Sequence, residues 1–521
     1  MTFHDSKPDR SLVRIVRDAL AWADDEEMIV APSGNLSGSQ MRSRCDALRD
    51  ELLKQGATPQ TCIAYAGSVD VGVLVSQLGI VLAGGIPVPL ASHYPIDIWI
   101  QFIIDFNVKF IICEPDNTLP LRNALEKASV PLQIIEIRPD GTLLNPTCLD
   151  TKEDHAGSAL DLAEIIFSSG STGFPKAFAL TLEAEYYFIS TWLTVYGERQ
   201  HGRFLCLSMS GNMHTCLSAL LRHEVLVIYA GSMNAREIAR AINQHRITDL
   251  FIPPSILMDF INNREVDTVD ISTLQRVAYG GQAVSATEKN RIAEKIGCEV
   301  LQFYGGTESG LLTFLGPEEH RSGDADLLSS AGKAFAELGT SIQIWDFNSD
   351  KPLESGQIGR IMAFGHGITR RLFGSNEDFQ MRGDWRDTDD VGYLNEDGYL
   401  FIKGRASDAI RTNARVIFSG DVESLIAANF NVAEVAVHGM SNSLDNDHIF
   451  VWVKPSAKIL DKANLAHRVS AEFAIDEQYL HIELLEEIPH HQRLAYKVDK
   501  ALLRSKAVEF LKNTENEADQ L

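Results

Sequence analysis

From residue 161 to 181 the sequence runs DLAEIIFSSGSTGFPKAFALT, and its middle is suited to holding phosphate. An apolar run at 162–167, short enough for a buried strand, breaks into Ser168, Ser169, Gly170, Ser171, Thr172 and Gly173, closed by Phe174, Pro175 and Lys176. Glycines let backbone N–H groups approach an anion, the hydroxyls add donors, and the lysine supplies positive charge. A Walker loop needs Gly-Lys-Ser/Thr running into a helix; here Pro175 separates Gly173 from Lys176, so this is a different cradle. Two further apolar runs end in glycine pairs, LQRVAYGGQAV with Gly280 and Gly281, and EVLQFYGGTESG with Gly305 and Gly306. Singly, such turns are ordinary punctuation. Following a phosphate loop in order, they are where a parallel sheet would bind a nucleotide, beyond the carboxyl ends of its strands.

From residue 383 the chain reads GDWRDTDDVGYLNEDGYLFIKGRASDAI, with a hairpin signal at Asp397-Gly398. Taken together these motifs resemble the signatures of the adenylate-forming superfamily: acyl- and aryl-CoA ligases, peptide-synthetase adenylation domains and luciferases. The likeness spans about residues 10–510 and is nearest in style to acyl- or aryl-CoA or carrier-protein ligases. It implies that residues 168–173 and Lys176 surround the β- and γ-phosphates of ATP, and that Gly281, Gln282 and Ala283 line the adenine edge. In Tyr304-Gly305-Gly306-Thr307-Glu308, the family's Y-G-x-T-E, the tyrosine would lie against adenine, the threonine would meet the α-phosphate, and the glutamate would help hold Mg²⁺. That last role suits an ion that takes one or two carboxylates plus phosphate oxygens. Thr388-Asp389-Asp390 stands for T-G-D, with Asp389 in place of the glycine; Asp390 and Arg405 would hold the ribose. Lys497, in IPHHQRLAYKVDKALL, takes the place of the adenylation lysine, with Tyr496 at a family glycine and Lys500 at a family arginine.

The reaction so implied is attack of a carboxylate on the α-phosphate of ATP, giving an acyl adenylate and pyrophosphate, then transfer to the thiol of CoA or a carrier-protein phosphopantetheine. His214 aligns with the position that gates the acyl pocket, and no carboxylate occurs from 207 to 221, so the expected acid is aryl or aliphatic without an α-amino group. The thiol half departs from type: Ser407 stands at the hinge, Ala414 replaces a glycine of the pantetheine channel, and Ser419 replaces a proline. An added methyl at 414 is expected to hinder thiol transfer. Two alternatives stand beside this: an adenylate-forming enzyme whose acceptor is an amine or other non-thiol, or whose activated group is not a carboxylate, and a nucleotide-binding protein that has lost catalysis.

The elements that must position these residues alternate. Residues 11–24 and 38–55 carry apolar residues at helical spacing; between 61 and 113 short apolar runs and helical stretches keep the β-α-β rhythm; strands at 203–208, 224–229 and 249–253 bracket a helix at 235–245. The expected fold is α/β, with a large N-terminal domain of β-α-β layers and mixed sheets at 1–404 that binds ATP and acid. A small mobile α+β domain at 405–521 carries Lys497. With 521 residues, 45% hydrophobic, the chain has the composition of a globular protein of more than one domain. A net charge of −24 argues against nucleic acid or anionic membrane as partner. Seven scattered cysteines without a C-x-x-C pair, no signal core and no long apolar stretch together give a cytoplasmic expectation with no transmembrane segment.

Overall fold

The structure is a computed structural model. It describes residues 11–92, 94–144, 146, 161–168, 175–197, 202–207, 213–347, 349–369, 380–412, 416–440, 447–456, 460–491 and 494–518. Packing separates two compact units, residues 1–342 with 363–386, and residues 343–362 with 387–521. This division lies upstream of the 404/405 hinge expected from sequence. It falls within the strand Trp385–Leu394, whose residues from 387 on share the second unit with their antiparallel partner Leu400–Arg405.

The large unit is α/β, as its alternation implied. Its first sheet orders Ile86–Pro89, Cys62–Ala66, Phe110–Cys113 and Gln133–Glu136, all parallel. The crossover helix Val71–Leu82 is buried along its whole length, which explains why its sequence, VGVLVSQLGIVL, lacks a polar face. A second, nine-stranded sheet has a parallel centre in which Glu27–Val30, Val225–Ile228, Arg203–Cys206, Asp249–Ile252, Arg276–Gly280 and Glu299–Gly306 lie side by side. Its edges, Leu36–Ser37, Gly310–Leu315 and Lys333–Ala334, are antiparallel. The helix expected at 235–245 is present as Ala235–His245, capped by Asn234. Five cysteines, Cys45, Cys62, Cys113, Cys206 and Cys216, are buried free thiols.

At the amino-terminal ends of the central strands four charges are buried together. Arg276 Nε donates to Asp249 Oδ1 at 2.6 Å, Arg222 Nη2 lies 2.6 Å from Glu224 Oε2, and Arg276 Nη2 is 3.9 Å from Glu224 Oε1. The two guanidinium groups also lie 4.7 and 5.0 Å from the ring centroid of buried Tyr196.

The smaller unit orders Val432–Met440, His448–Pro455 and Leu480–Leu484 in one sheet, backed by Ser419–Asn429 and Lys462–Phe473. No helix among the described residues is long and apolar enough to cross a membrane.

Because a buried charge stripped of its partner retains its desolvation cost, Asp249→Ala should lower the large unit's stability by about 3–5 kcal/mol, read as a shift of the urea midpoint. Replacing both partners, as in Asp249→Leu with Arg276→Met, should recover most of that loss.

Candidate active site

The phosphate-loop sequence forms a hairpin. Leu162–Ser168 pairs antiparallel with Lys176–Thr181, and the register Ser168↔Lys176 sets Lys176 at the base of the connecting loop. Residues Ser169, Gly170, Ser171, Thr172 and Gly173 lie outside the described residues. Far below the tip, Gln60 clamps the strand: its Nε2 donates to the Leu162 carbonyl at 3.1 Å and its Oε1 accepts from the Leu162 N–H at 2.8 Å. Thr181 ends the hairpin by capping the helix Leu182–Tyr196 through the Ala184 N–H.

The two glycine-ended strands are neighbours in the sheet. Parallel register runs from Arg276↔Glu299 to Gly280↔Phe303, so residues 281–283 and 304–308 leave adjacent strand ends. Gly281 has φ +86°, and a Cβ there would meet nothing within 4 Å, so the backbone conformation alone demands glycine and the space beside it is open. Gln282 accepts from the Ser255 N–H at 3.2 Å, and a capping box of Ser285 with Glu288 begins the next helix, Ala286–Ile296.

Tyr304, Gly305 and Gly306 are the last residues of Glu299–Gly306, which turns through Thr307 and Glu308 into Gly310–Leu315 with Gly306↔Gly310 paired. A Cβ on Gly305 would collide with the Gly310 carbonyl oxygen, and one on Gly310, where φ is +68°, would collide with the Phe188 ring. The tip is thus pressed onto Leu182–Tyr196, the helix that the phosphate hairpin leads into. Next to Phe188, Tyr187 donates to the Leu311 carbonyl at 2.7 Å. Its hydroxyl is also 2.5 Å from Thr340 Oγ1, and burial pushes the phenol up to about 12.

Glu308 is held twice: its carbonyl accepts from the Thr369 N–H at 2.9 Å, and its Oε1 lies 4.0 Å from Arg386 Nη2. Arg386 is fully buried and donates to the Thr369 carbonyl at 2.8 Å and Gln380 Oε1 at 3.2 Å. Sequence reading passed over Arg386 although it sits inside GDWRDTDD; an arginine between an aromatic and an acidic run was the available signal. The Glu308 carboxylate, 28% exposed, keeps oxygens available for one Mg²⁺ completed by water and phosphate, so the donor set fits that ion.

In the smaller unit Asp390 and Arg405 are paired residues of adjacent strands, with Arg405 Nε 3.0 Å from Asp390 Oδ1. The expected turn at Asp397-Gly398 joins these strands, with Gly398 at φ +80°. Asp389 has φ +61°, a conformation that glycine adopts freely and aspartate tolerates, which explains a glycine at this place in the resembling motif. Thr388 Oγ1 donates to the Ile361 carbonyl at 2.9 Å and accepts from the Asp390 N–H at 3.2 Å.

Lys497 lies on the strand Leu494–Val498, paired with His490–His491. Only its backbone is described. Three residues on, Lys500 Nζ is 2.8 Å from Asp408 Oδ2, and Arg504 Nη2 is 2.8 Å from Asp408 Oδ1. Burial would raise the Asp408 carboxyl, but Lys500 and Arg504 more than offset it and hold it below the usual range. Lys500 is therefore engaged in a clasp within its own unit. Ser407 belongs to the short turn Ala406–Asp408, and Ala414 lies outside the described residues.

His214 is the second residue of the helix Met213–Leu221, with its ring 5.1 Å from that of Phe188. The sequence window around it holds no carboxylate, yet the fold brings two: Nδ1 is 3.5 Å from Glu185 Oε2 and 3.9 Å from Glu164 Oε1. Both glutamates are fully buried. Neither was found from sequence, since they come from a strand and a helix distant from residue 214.

If the φ at 389 is the constraint described, Asp389→Gly should change stability by no more than about 0.5 kcal/mol, whereas Asp389→Val should cost about 1–2 kcal/mol by thermal denaturation.

The model of a family described as "AMP-binding enzyme" matches residues 16–373. The chain is 26% identical over 281 residues to a medium/long-chain-fatty-acid–CoA ligase of Mycobacterium tuberculosis, a match covering 53% of this chain and 48% of that one. It is 23% identical over 477 residues to an indoleacetate–CoA ligase of Aromatoleum aromaticum, covering 88% and 91%. Its fold matches that of an amide bond synthetase from Marinactinospora thermotolerans with a TM-score of 0.81 at 20% identity, over 95% of this chain and 99% of that one. With the hairpin, the glycine-ended strands and the Tyr304–Glu308 turn arranged as described, and a family model matching well over half its length, the chain belongs to the AMP-binding enzyme family.

Proposed function

We propose that the protein activates an aryl or aliphatic carboxylic acid as its acyl adenylate, releasing pyrophosphate, and then passes the acyl group to the thiol of CoA or a carrier-protein pantetheine. The observation that carries this reading is the adjacency of two glycine-ended strands, with the open space at Gly281 beside one and Glu308 fixed by Thr369 and Arg386 beyond the other. Membership in the AMP-binding family and the CoA-ligase relatives support it.

A carboxylate cannot expel oxide, but as an adenylate it loses AMP. Two anions must first be brought together, which requires donors and cations around the phosphates. In this reading the 168–173 loop and Lys176 hold the β- and γ-phosphates, Thr307 donates to the α-phosphate, and Asp390 accepts from the ribose hydroxyls beside Arg405. Bound Mg²⁺ at Glu308 would neutralise phosphate charge. Tyr304 and the 281–283 backbone would flank adenine. Lys497 would bridge the acid and the α-phosphate, brought there by movement of the carboxyl-terminal part about a hinge near 404/405, with Ser407 in it. His214 would border the acyl pocket. Glu164 and Glu185 are too deeply buried to offer an amino acid's ammonium a partner, which supports an acid without an α-amino group. Ala414, at the glycine of the pantetheine channel, would slow thiol transfer.

Lys497→Ala should lower ATP–pyrophosphate exchange by about 100-fold or more and leave ATP binding largely intact, because the lysine acts on charge developing in the transition state. Lys500→Ala should keep the exchange rate while lowering stability, because it opens the Asp408 clasp. The reverse pattern would move the catalytic role to Lys500. Mass spectrometry of the products with and without CoA separates a thioester from an amide or free adenylate.

A further inference from the structure

Glu164, Glu185 and His214 converge from three elements. Glu164 is on the inner hairpin strand Leu162–Ser168; Glu185 is in the first turn of Leu182–Tyr196; His214 is second in the helix Met213–Leu221. Both glutamates are fully buried, and among the described residues none of their four carboxylate oxygens, nor His214 Nδ1, has a hydrogen-bond partner. Two ionised carboxylates without donors would be far too costly to bury, and burial together with Glu185 pushes the Glu164 carboxyl well above its usual range. The missing partner is either a proton or a cation.

The geometry points to a cation, and we propose that these three side chains form a binding site for a divalent transition-metal ion of the zinc class. A proton shared with the imidazole needs donor and acceptor in hydrogen-bond contact. Nδ1 instead stands 3.5 and 3.9 Å from the two carboxylates, and one ligand atom from each residue lies within 4.8 Å of the others. Ligands about 2.1 Å from a tetrahedral ion are about 3.4 Å apart, so the three atoms need little movement to surround one. Two carboxylates neutralise a dication, and a water completes four-coordination. An imidazole in the set favours zinc over magnesium or calcium. The ion would tie the phosphate hairpin, the helix beneath the Glu308 turn and the first turn after residue 212 together. This site is separate from Glu308 and shares only His214 with the acyl pocket proposed above, so zinc content can be read whether or not that reaction occurs.

The test is the zinc content of full-length protein expressed in zinc-supplemented medium and dialysed against metal-free buffer, with no nucleotide added. The wild type should retain about one zinc per chain, and its melting temperature should fall when a chelator removes it. Glu164→Gln with Glu185→Gln preserves side-chain size and removes the buried charges, so it should fold; it should hold at least about tenfold less zinc and melt at the same temperature with or without chelator. Glu308→Gln should retain zinc like the wild type. Equal zinc in the wild type and the double variant would overturn the proposal. So would a wild type free of zinc and insensitive to chelator, which would assign the carboxyls a proton instead.

Discussion

The buried quartet of Arg222, Glu224, Asp249 and Arg276 constrains everything built on the large sheet. Each residue begins or immediately precedes a strand, except Arg222, which opens the turn after the helix Met213–Leu221. A one-residue slip between neighbouring strands would separate charges that burial forbids to be alone. Register is therefore fixed at the amino-terminal edge by electrostatics. Its result appears at the opposite edge, where Gly280 stands level with Phe303 and two glycine-bearing loops emerge side by side.

Held in that register, the Tyr304–Glu308 turn is positioned by steric exclusion as well as by hydrogen bonding. Gly305 and Gly310 leave no room for a side chain, and Phe188 presses on the tip from the helix that continues the phosphate hairpin. The loops that would meet opposite ends of a nucleotide therefore share one helix as a common support. Arg386 closes the arrangement from the other side, buried between Thr369, Gln380 and Glu308.

Much of this was legible in the sequence because it depends on local pattern. The β-α-β rhythm from 61 to 113, the helix Ala235–His245 and the hairpin at Asp397-Gly398 arise from spacing and turn chemistry that act over a few residues. The glycine pairs were legible because backbone conformation restricts residue type. What escaped was assembled by tertiary packing. Glu164, Glu185 and His214 look unremarkable in their own segments, and Arg386 was hidden in a run of charges that reads as surface. The packing boundary between units falls inside the strand Trp385–Leu394, where no composition change marks it.

The place of Glu27–Val30 in the large sheet has a consequence for the chain's biosynthesis. This early strand pairs in parallel with Val225–Ile228, and Glu27 meets Arg203 across 176 residues of sequence. A ribosome adding about 5–20 residues per second needs on the order of 10–35 s to make that interval, during which the strand has no neighbour on that edge. Its apolar residues Met28, Ile29 and Val30 must be sheltered meanwhile, by the adjoining helix Gly38–Lys54 or by a chaperone. The sheet that aligns the two glycine-bearing loops thus cannot close until well over half the chain has been translated, so exposure to aggregation is greatest early in synthesis, before the sheet's partner strands exist.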